Sequence, residues 1–323
     1  MQHSSSDIFM LVVEEMSFTK AAKRAFLTQQ CVSDHIRRLE AAYGTRLFER
    51  RPRLALTAAG EIMHSSTLQM QNTRKGMEAK LREVSRGAMG ELTVGMNSSR
   101  AKVLMPRLFS RYHTLYPDVS VSIFSDDTPT MAQMLIKGKL DLFLAVDAAS
   151  NPLFKVKSLT EDRVYLVVSD GLLERCLGPA AKVRKELERG VDLARFEDVP
   201  FVRNFSTSTI NSLIDKHVNR FNLDLRTIFH VSDYDTQLRL CATDQVAAFM
   251  PCLILENTIR FNETSGEGSR LNIFPIEDMT DKLRVDCVYL KNAYLPQYAV
   301  DFMALMAKEI EDVKRWLSER GID

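Results

Sequence analysis

The chain has 323 residues, 45% apolar and 26% charged, which is enough for two or three domains with sizeable cores. No apolar run reaches the roughly 20 residues that span a bilayer, and the opening Met1–Met10 lacks the basic region followed by an apolar one that would mark a secretory leader. The formal net charge of +1 excludes a uniformly basic coat, but residues 1–89 carry 14 Lys and Arg against 9 Asp and Glu, and the rest 29 against 33. A basic N-terminal third on an acidic remainder points to a nucleic-acid-binding module joined to something else.

Residues 5–57 hold short, closely spaced helical patterns. Ile8, Leu11, Val12 and Glu15 follow helical spacing behind the start signals of Ser4–Ser6 and Asp7. Ser17 offers a cap for a second helix, on which Ala21, Ala22 and Ala25 form a small-residue face open to close approach. Thr28 caps a third, with Val32, Ile36 and Leu39 inward and Gly44 as its left-handed stop. Leu47–Arg50 and Leu54–Leu56 then bracket a basic Arg51-Pro52-Arg53 tip, a small hairpin. From Thr57 to about Gly87 the pattern is one proline-free helix. Met63, Met70, Met77 and Val84 recur every seven residues on it, which favours a dimerising seam over an amphipathic helix packed on its own domain.

Beyond Gly87 and Gly90 the pattern changes. Strands at Glu91–Met96, Val119–Phe124 and Asp141–Val146 alternate with helices near Ala101–Tyr116 and Met131–Lys137, which implies a parallel sheet with helices on both faces. A similar alternation resumes at Arg163–Val168, Pro200–Val202, Ser208–Phe221, Thr227–Val231, Asp235–Ala242 and Val246–Met250, and Asp301–Glu319 closes the chain as a helix. Leu172–Gly190 reads as a charged, helical surface excursion. The divisions expected are 1–57 for the first domain, 58–89 for the long helix and 90–323 for a two-lobed α/β domain. In the latter, lobe I takes 90–162 and 268–323, and lobe II takes 163–267.

On the third helix the positions opposite the apolar face are Gln29, Gln30, Ser33, Asp34 and Arg37. A helix whose N-terminal half exposes such side chains can enter the major groove, where Gln pairs with adenine and Arg with guanine. Arg38, Arg46, Arg50, Arg51 and Arg53 lie where phosphates would flank that groove, although each taken singly reads better as a solvated surface charge. Asp34 would repel phosphate and so faces bases or bonds within the chain.

These residues carry a resemblance. Phe18-Thr19-Lys20-Ala21-Ala22, Gln29 with Val32-Ser33, Ile36-Arg37-Arg38-Leu39-Glu40, Gly44, Leu47-Phe48-Glu49-Arg50 and Leu56-Thr57 with Gly60 resemble the winged helix-turn-helix of LysR-type transcriptional regulators. The match is ordered over residues 18–60 and runs on into the long helix. It implies an effector domain like a periplasmic binding protein after residue 90, and a sequence-specific DNA-binding regulator controlled by a small molecule held between two lobes. DNA-binding residues would then be Thr28, Gln29, Gln30, Ser33, Asp34, Arg37, Arg38, Arg50, Arg51 and Arg53. The partners implied are double-stranded promoter DNA, an effector, further copies of the chain in a dimer or a tetramer built from two dimer types, and RNA polymerase, in the cytoplasm. Gln30 and Cys31 depart from the proline and alanine usual in that family. Thr243-Asp244-Gln245 replaces a glycine-rich turn, putting the local backbone in question.

Ligands of parallel α/β sheets collect beyond the strand carboxyl ends, where helix N-termini point inward. Asn97-Ser98-Ser99, Ser125–Thr128 and Ser206-Thr207-Ser208 occupy such places. By the resemblance, the effector residues are Ser98, Ser99, Thr128, Phe205, Thr207 and Asp233, although plain helix capping explains Ser and Thr there equally well. Arg203 and His230 could meet an anion or lie on the surface. No cofactor or metal is expected: the six histidines are dispersed, and the phosphate-loop, dinucleotide and nucleophile-elbow motifs are all missing. The adjacent Asp126 and Asp127 suit a turn better than a cation. Five scattered cysteines, Cys31, Cys176, Cys241, Cys252 and Cys287, read as reduced thiols of a cytoplasmic protein. An enzyme is not expected.

Overall fold

In a computed structural model, which describes residues 4–49, 53–86, 89–264 and 270–322, the first helices all start on a side-chain oxygen. Helix α1 (Ser5–Glu15) has a full capping box between Ser4 and Asp7. In α2 (Phe18–Ala25), the Ser17 hydroxyl accepts from the Lys20 N–H. For α3 (Gln29–Tyr43), Thr28 Oγ1 accepts from the Cys31 N–H at 3.2 Å, and Gly44 ends the helix at φ 65°. Strands β1 (Phe48–Glu49) and β2 (Ala55–Leu56) pair antiparallel, Phe48 opposite Leu56. The tip residues Arg50, Arg51 and Pro52 lie outside the described residues. Helix α4 (Ala58–Arg86) follows.

The chain divides into two units, residues 1–80 and 81–323. In the first, Ile8, Phe9, Val12, Ala21, Ala25, Val32, Ile36, Leu47 and Phe48 are buried, with Phe9 and Phe18 rings on Phe48 at 5.4 and 5.8 Å. The alanine face of α2 is buried, as close helix approach requires. Gly60 has a distinct reason: a Cβ there would stand 2.1 Å from the Leu47 carbonyl oxygen. On α4, Met70 and Met77 are 58% and 53% exposed, with exposed Leu81 on the same stripe. The Val84 side chain lies outside the described residues.

The second unit holds two five-stranded sheets. In the first, β3 (Gly90–Gly95) lies parallel between β4 (Val119–Phe124) and β5 (Leu142–Val146). Helices α5 (Ser98–Leu115) and α6 (Thr128–Ile136) connect these strands. Strand β6 (Phe154–Asp162) completes one edge, and β7 (Val164–Ser169) opens the second sheet. Next come α7 (Asp170–Leu177), α8 (Ala180–Leu187), β8 (Phe201–Arg203), α9 (Thr209–Arg220), β9 (Thr227–His230), α10 (Tyr234–Cys241) and β10 (Ala247–Pro251). After α11 (Leu255–Thr264), β11 (Leu271–Pro275) pairs with β7. Strand β12 (Leu283–Leu290) then returns to the first sheet between β5 and β6, and α12 (Gln297–Ser318) ends the unit.

Three expectations are corrected here. The sheets are mixed, not parallel: β12 runs antiparallel to β5 and β6, and β7 antiparallel to β10 and β11. Because β11 belongs to the second sheet, that lobe extends past residue 267 and the first resumes at β12. Leu172–Gly190 is no surface excursion either, since α7 and α8 bury Leu172, Leu173, Ala180, Val183 and Leu187 in the core. The turn at Thr243-Asp244-Gln245 keeps a glycine-like backbone without glycine. Asp244 sits at φ 59°, its carboxyl against Gly171, where a Cβ would approach within 2.5 Å.

Candidate functional site

Residues of α3 separate cleanly by face. Val32, Ile36 and Leu39 are buried, while Thr28, Gln29, Gln30, Arg37 and Arg38 are exposed and Ser33 and Asp34 half-exposed. The Thr28 hydroxyl is engaged as the cap. Gln29 Oε1 accepts from Thr19 Oγ1 at 3.3 Å, which ties the start of α3 to α2. Arg37 pairs with Asp34 at 2.9 Å, and Arg38 Nε donates to the Asp34 carbonyl at 3.4 Å. Asp34 thus makes bonds within the helix. An exposed pair three residues apart is worth only about 0.5 kcal/mol, so Arg37 is cheaply released. Arg53 is exposed; Arg50 and Arg51 lie outside the described residues.

In the second unit, four helices follow four parallel strands and aim their N-termini at one cleft of about 420 Å³. Asn97 caps α5 by accepting from the Ser99 N–H at 3.0 Å, and Asp127 caps α6 by accepting from the Thr130 N–H at 2.8 Å. Asp233 caps α10 through Thr236. At α9 the residue in the cap position, Ser208, makes no side-chain cap bond, unlike its counterparts at α5, α6 and α10. Burial alone would raise the Asp233 carboxyl, but hydrogen bonds from Thr236, with Lys102 and Ser98 beside it, hold it below its ordinary value. The Ser98 hydroxyl reaches Asp233 at 3.4 Å across the mouth of the cleft.

Of the six effector residues expected from sequence, Ser98, Thr128, Phe205, Thr207 and Asp233 come together on this wall. Ser99 does not. One helical step from Ser98, it is fully buried and off the wall, so it is withdrawn from the set. Arg203 pairs with Asp215 at 2.5 Å, and the His230 ring stacks on Phe205 at 6.1 Å; neither lines the cleft. Sequence reasoning missed Arg100, which is 4% exposed, lines the cleft and bonds buried Asp162 at 3.3 Å. Its Nε has no partner among the described residues. Burial pushes the Asp162 carboxyl up, while Arg100 and the Leu253 N–H pull it back. Asp127 was legible as a cap, since Thr128-Pro129 behind it is a helix-start signature. Arg100 gave no signal, because a charged residue early in an amphipathic helix reads as exposed.

A helix-turn-helix with a hydrogen-bonding outer face, followed by two α/β lobes around a cleft, defines the class of ligand-responsive DNA-binding proteins. Residues 5–61 match the bacterial regulatory helix-turn-helix protein family of lysR type, and residues 85–311 the LysR substrate binding domain. The chain is 28% identical over 221 residues to a probable RuBisCO transcriptional regulator of Cyanidioschyzon merolae, covering 67% of this chain and 69% of that protein. It is 32% identical over 136 residues to the HTH-type transcriptional regulator AlsR of Bacillus subtilis, covering 42% and 45% of the two. In fold it is similar to full-length CbnR complexed with its target DNA (TM-score 0.57, 17% identity, 96% and 98% covered). It is similar also to a full-length OxyR variant of Pseudomonas aeruginosa (TM-score 0.65, 16% identity, 96% and 95% covered). The chain belongs to the LysR family of transcriptional regulators, with a DNA-binding helix-turn-helix and an effector-binding domain. Its relatives are regulators, not enzymes.

Proposed function

We propose that two copies of this chain pair through the exposed methionine face of α4. Each presents one α3 to a half-site of a pseudo-palindromic operator, in successive major grooves. Gln30, Ser33 and Arg37 read base edges. Thr28, Gln29 and Arg38 set the helix in the groove, and Arg50, Arg51 and Arg53 of the wing hold phosphates. The observation that carries this reading is the division of α3 into a buried apolar face and an exposed face of amides and guanidinium groups.

A small-molecule effector occupies the cleft against Ser98, Thr128, Phe205, Thr207 and Asp233. The uncapped start of α9 and the Nε of Arg100 favour a ligand with an anionic group. A ligand that binds one arrangement of the lobes better shifts the population toward it and so changes the DNA complex. Contact with RNA polymerase, in the cytoplasm, passes that change to transcription.

The test is retention of genomic fragments by the purified full-length chain over a series of salt concentrations, with sequencing of what is kept. A few two-fold-related sites, bound with a steep loss of affinity as salt rises, are the expected result. Retention without sequence enrichment, with and without a metabolite pool, would overturn it.

A further inference from the structure

The two connections between the lobes meet at a recess whose charges do not balance. Strand β6 ends at Asp162 and β7 begins at Val164, so Arg163 alone forms the outward connection. Its carbonyl accepts from the Cys252 N–H at 2.8 Å, which fastens it to the second lobe. Lys282 is the last residue of the return connection before β12. Both line a recess of about 360 Å³, closed on the other side by Lys314, Arg315 and Ser318 at the end of α12, with Glu161 on its rim.

Four cations therefore surround one carboxylate, and their pairing can be followed one by one. Lys282 is matched by Glu161 at 2.7 Å, and Arg315 by Asp312. Among the described residues, Lys314 Nζ donates to two neutral oxygens, Thr160 Oγ1 at 3.1 Å and the Glu161 carbonyl at 3.0 Å, two of the three bonds an ammonium can make. The Arg163 side chain makes no hydrogen bond or ion pair among the described residues. Among the described residues, neither Lys314 nor Arg163 is hydrogen-bonded to a carboxylate, although both lie in the field of Glu161. The carboxyl end of α12 opposes an anion there with only about half a charge. The hydrogen bond from Lys282 holds the Glu161 carboxyl below the usual range, with smaller contributions from Lys314 and Arg163.

We propose that this recess binds a phosphate dianion, either inorganic phosphate or the phosphate of a small metabolite, held by Arg163, Lys314 and Lys282. A guanidinium and two ammonium groups suit tetrahedral phosphate oxygens, Arg through its planar fork and Lys as a point charge. The bound anion bridges both inter-lobe connections to α12 and so stiffens the hinge of the effector cleft. The link is short in sequence, because Asp162, which precedes Arg163, holds Arg100 of the cleft wall. The site is distinct from the cleft and does not rest on what the cleft binds.

The experiment is calorimetric titration of the full-length chain with inorganic phosphate, and in a second arm with glycerol 3-phosphate, at constant ionic strength set with chloride. Saturable binding is expected, weakened at least tenfold by Arg163→Ala and by Lys314→Ala, partly restored in Arg163→Lys, and unchanged in Ser98→Ala. Arg163→Ala removes an exposed side chain that makes no hydrogen bond among the described residues, so its melting temperature stays close to the parent's and folding does not confuse the result. Tighter binding of glycerol 3-phosphate identifies a metabolite as the natural source, and equal binding identifies inorganic phosphate. Heats that never saturate, or full binding in Arg163→Ala, overturn the proposal. So does loss in Ser98→Ala but not in Arg163→Ala, which would move the anion to the cleft.

Discussion

Replacing both Met70 and Met77 by Glu separates the partners if α4 forms the seam of the dimer. Each methionine leaves more than half its surface open, 58% and 53%. Burying the open half against a partner helix is worth about 1 kcal/mol, half the value for a whole methionine side chain. With two such residues on each of two chains, the double substitution removes about 4 kcal/mol, roughly a thousandfold in the dimer dissociation constant. Four carboxylates brought face to face add repulsion to that loss. Both positions are solvent-exposed within the chain, so the fold and helix content survive, which circular dichroism checks. Sedimentation equilibrium is the assay, and the expected result is an assembly of half the mass. A dissociation constant within threefold of the parent would refute the seam and return α4 to an ordinary amphipathic helix.

Other consequences follow from single side chains. Arg37→Ala and Gln30→Ala each relax operator preference by about 1–3 kcal/mol at one base position, and an unchanged binding profile on a randomised operator library would remove them from base reading. Removing the cap in Thr28→Ala costs the first unit about 1 kcal/mol; thermal melting measures it, and an unshifted midpoint would deny the cap its role. Taking one partner from the buried Arg100–Asp162 pair, as in Asp162→Asn, costs about 3–5 kcal/mol by leaving a buried charge unmatched, and a denaturant midpoint near the parent's would contradict that. His217 is 8% exposed, and burial lowers its pKa. The folded state therefore binds fewer protons than the unfolded one, so this stability is present above the ordinary histidine range and is lost as pH falls through the lowered value. His217→Gln should flatten that part of the stability curve, and a parent-like slope would exclude His217 as its source.

Much of the first unit was legible because its signals are local. Ser4, Ser17, Thr28 and Gly44 each act within one helical turn of themselves, and their positions fix the ends of three helices. The second unit depends on pairing between distant residues, which period alone does not record. Strand β6 is two-thirds polar and mostly exposed, so its sequence shows little burial pattern, and nothing local in β12 announces that it returns between β5 and β6. The same limit divides the cleft. Ser98, Thr128 and Asp233 sit at helix starts that a sequence exposes, whereas Arg100 depends on Asp162, a residue 62 positions away. Ser99 failed for a simpler reason: one step along a helix turns a side chain by about 100°, from the wall into the core.

The most direct measurement is footprinting of one retained operator by the parent chain and by Ser98→Ala, with and without fractions of a metabolite pool. At least one fraction is expected to alter the parent's footprint, while Ser98→Ala binds the free operator equally well and its footprint no longer responds to that fraction. A parent footprint indifferent to every fraction, or a Ser98→Ala footprint that responds as the parent's does, would contradict control of DNA binding from this cleft.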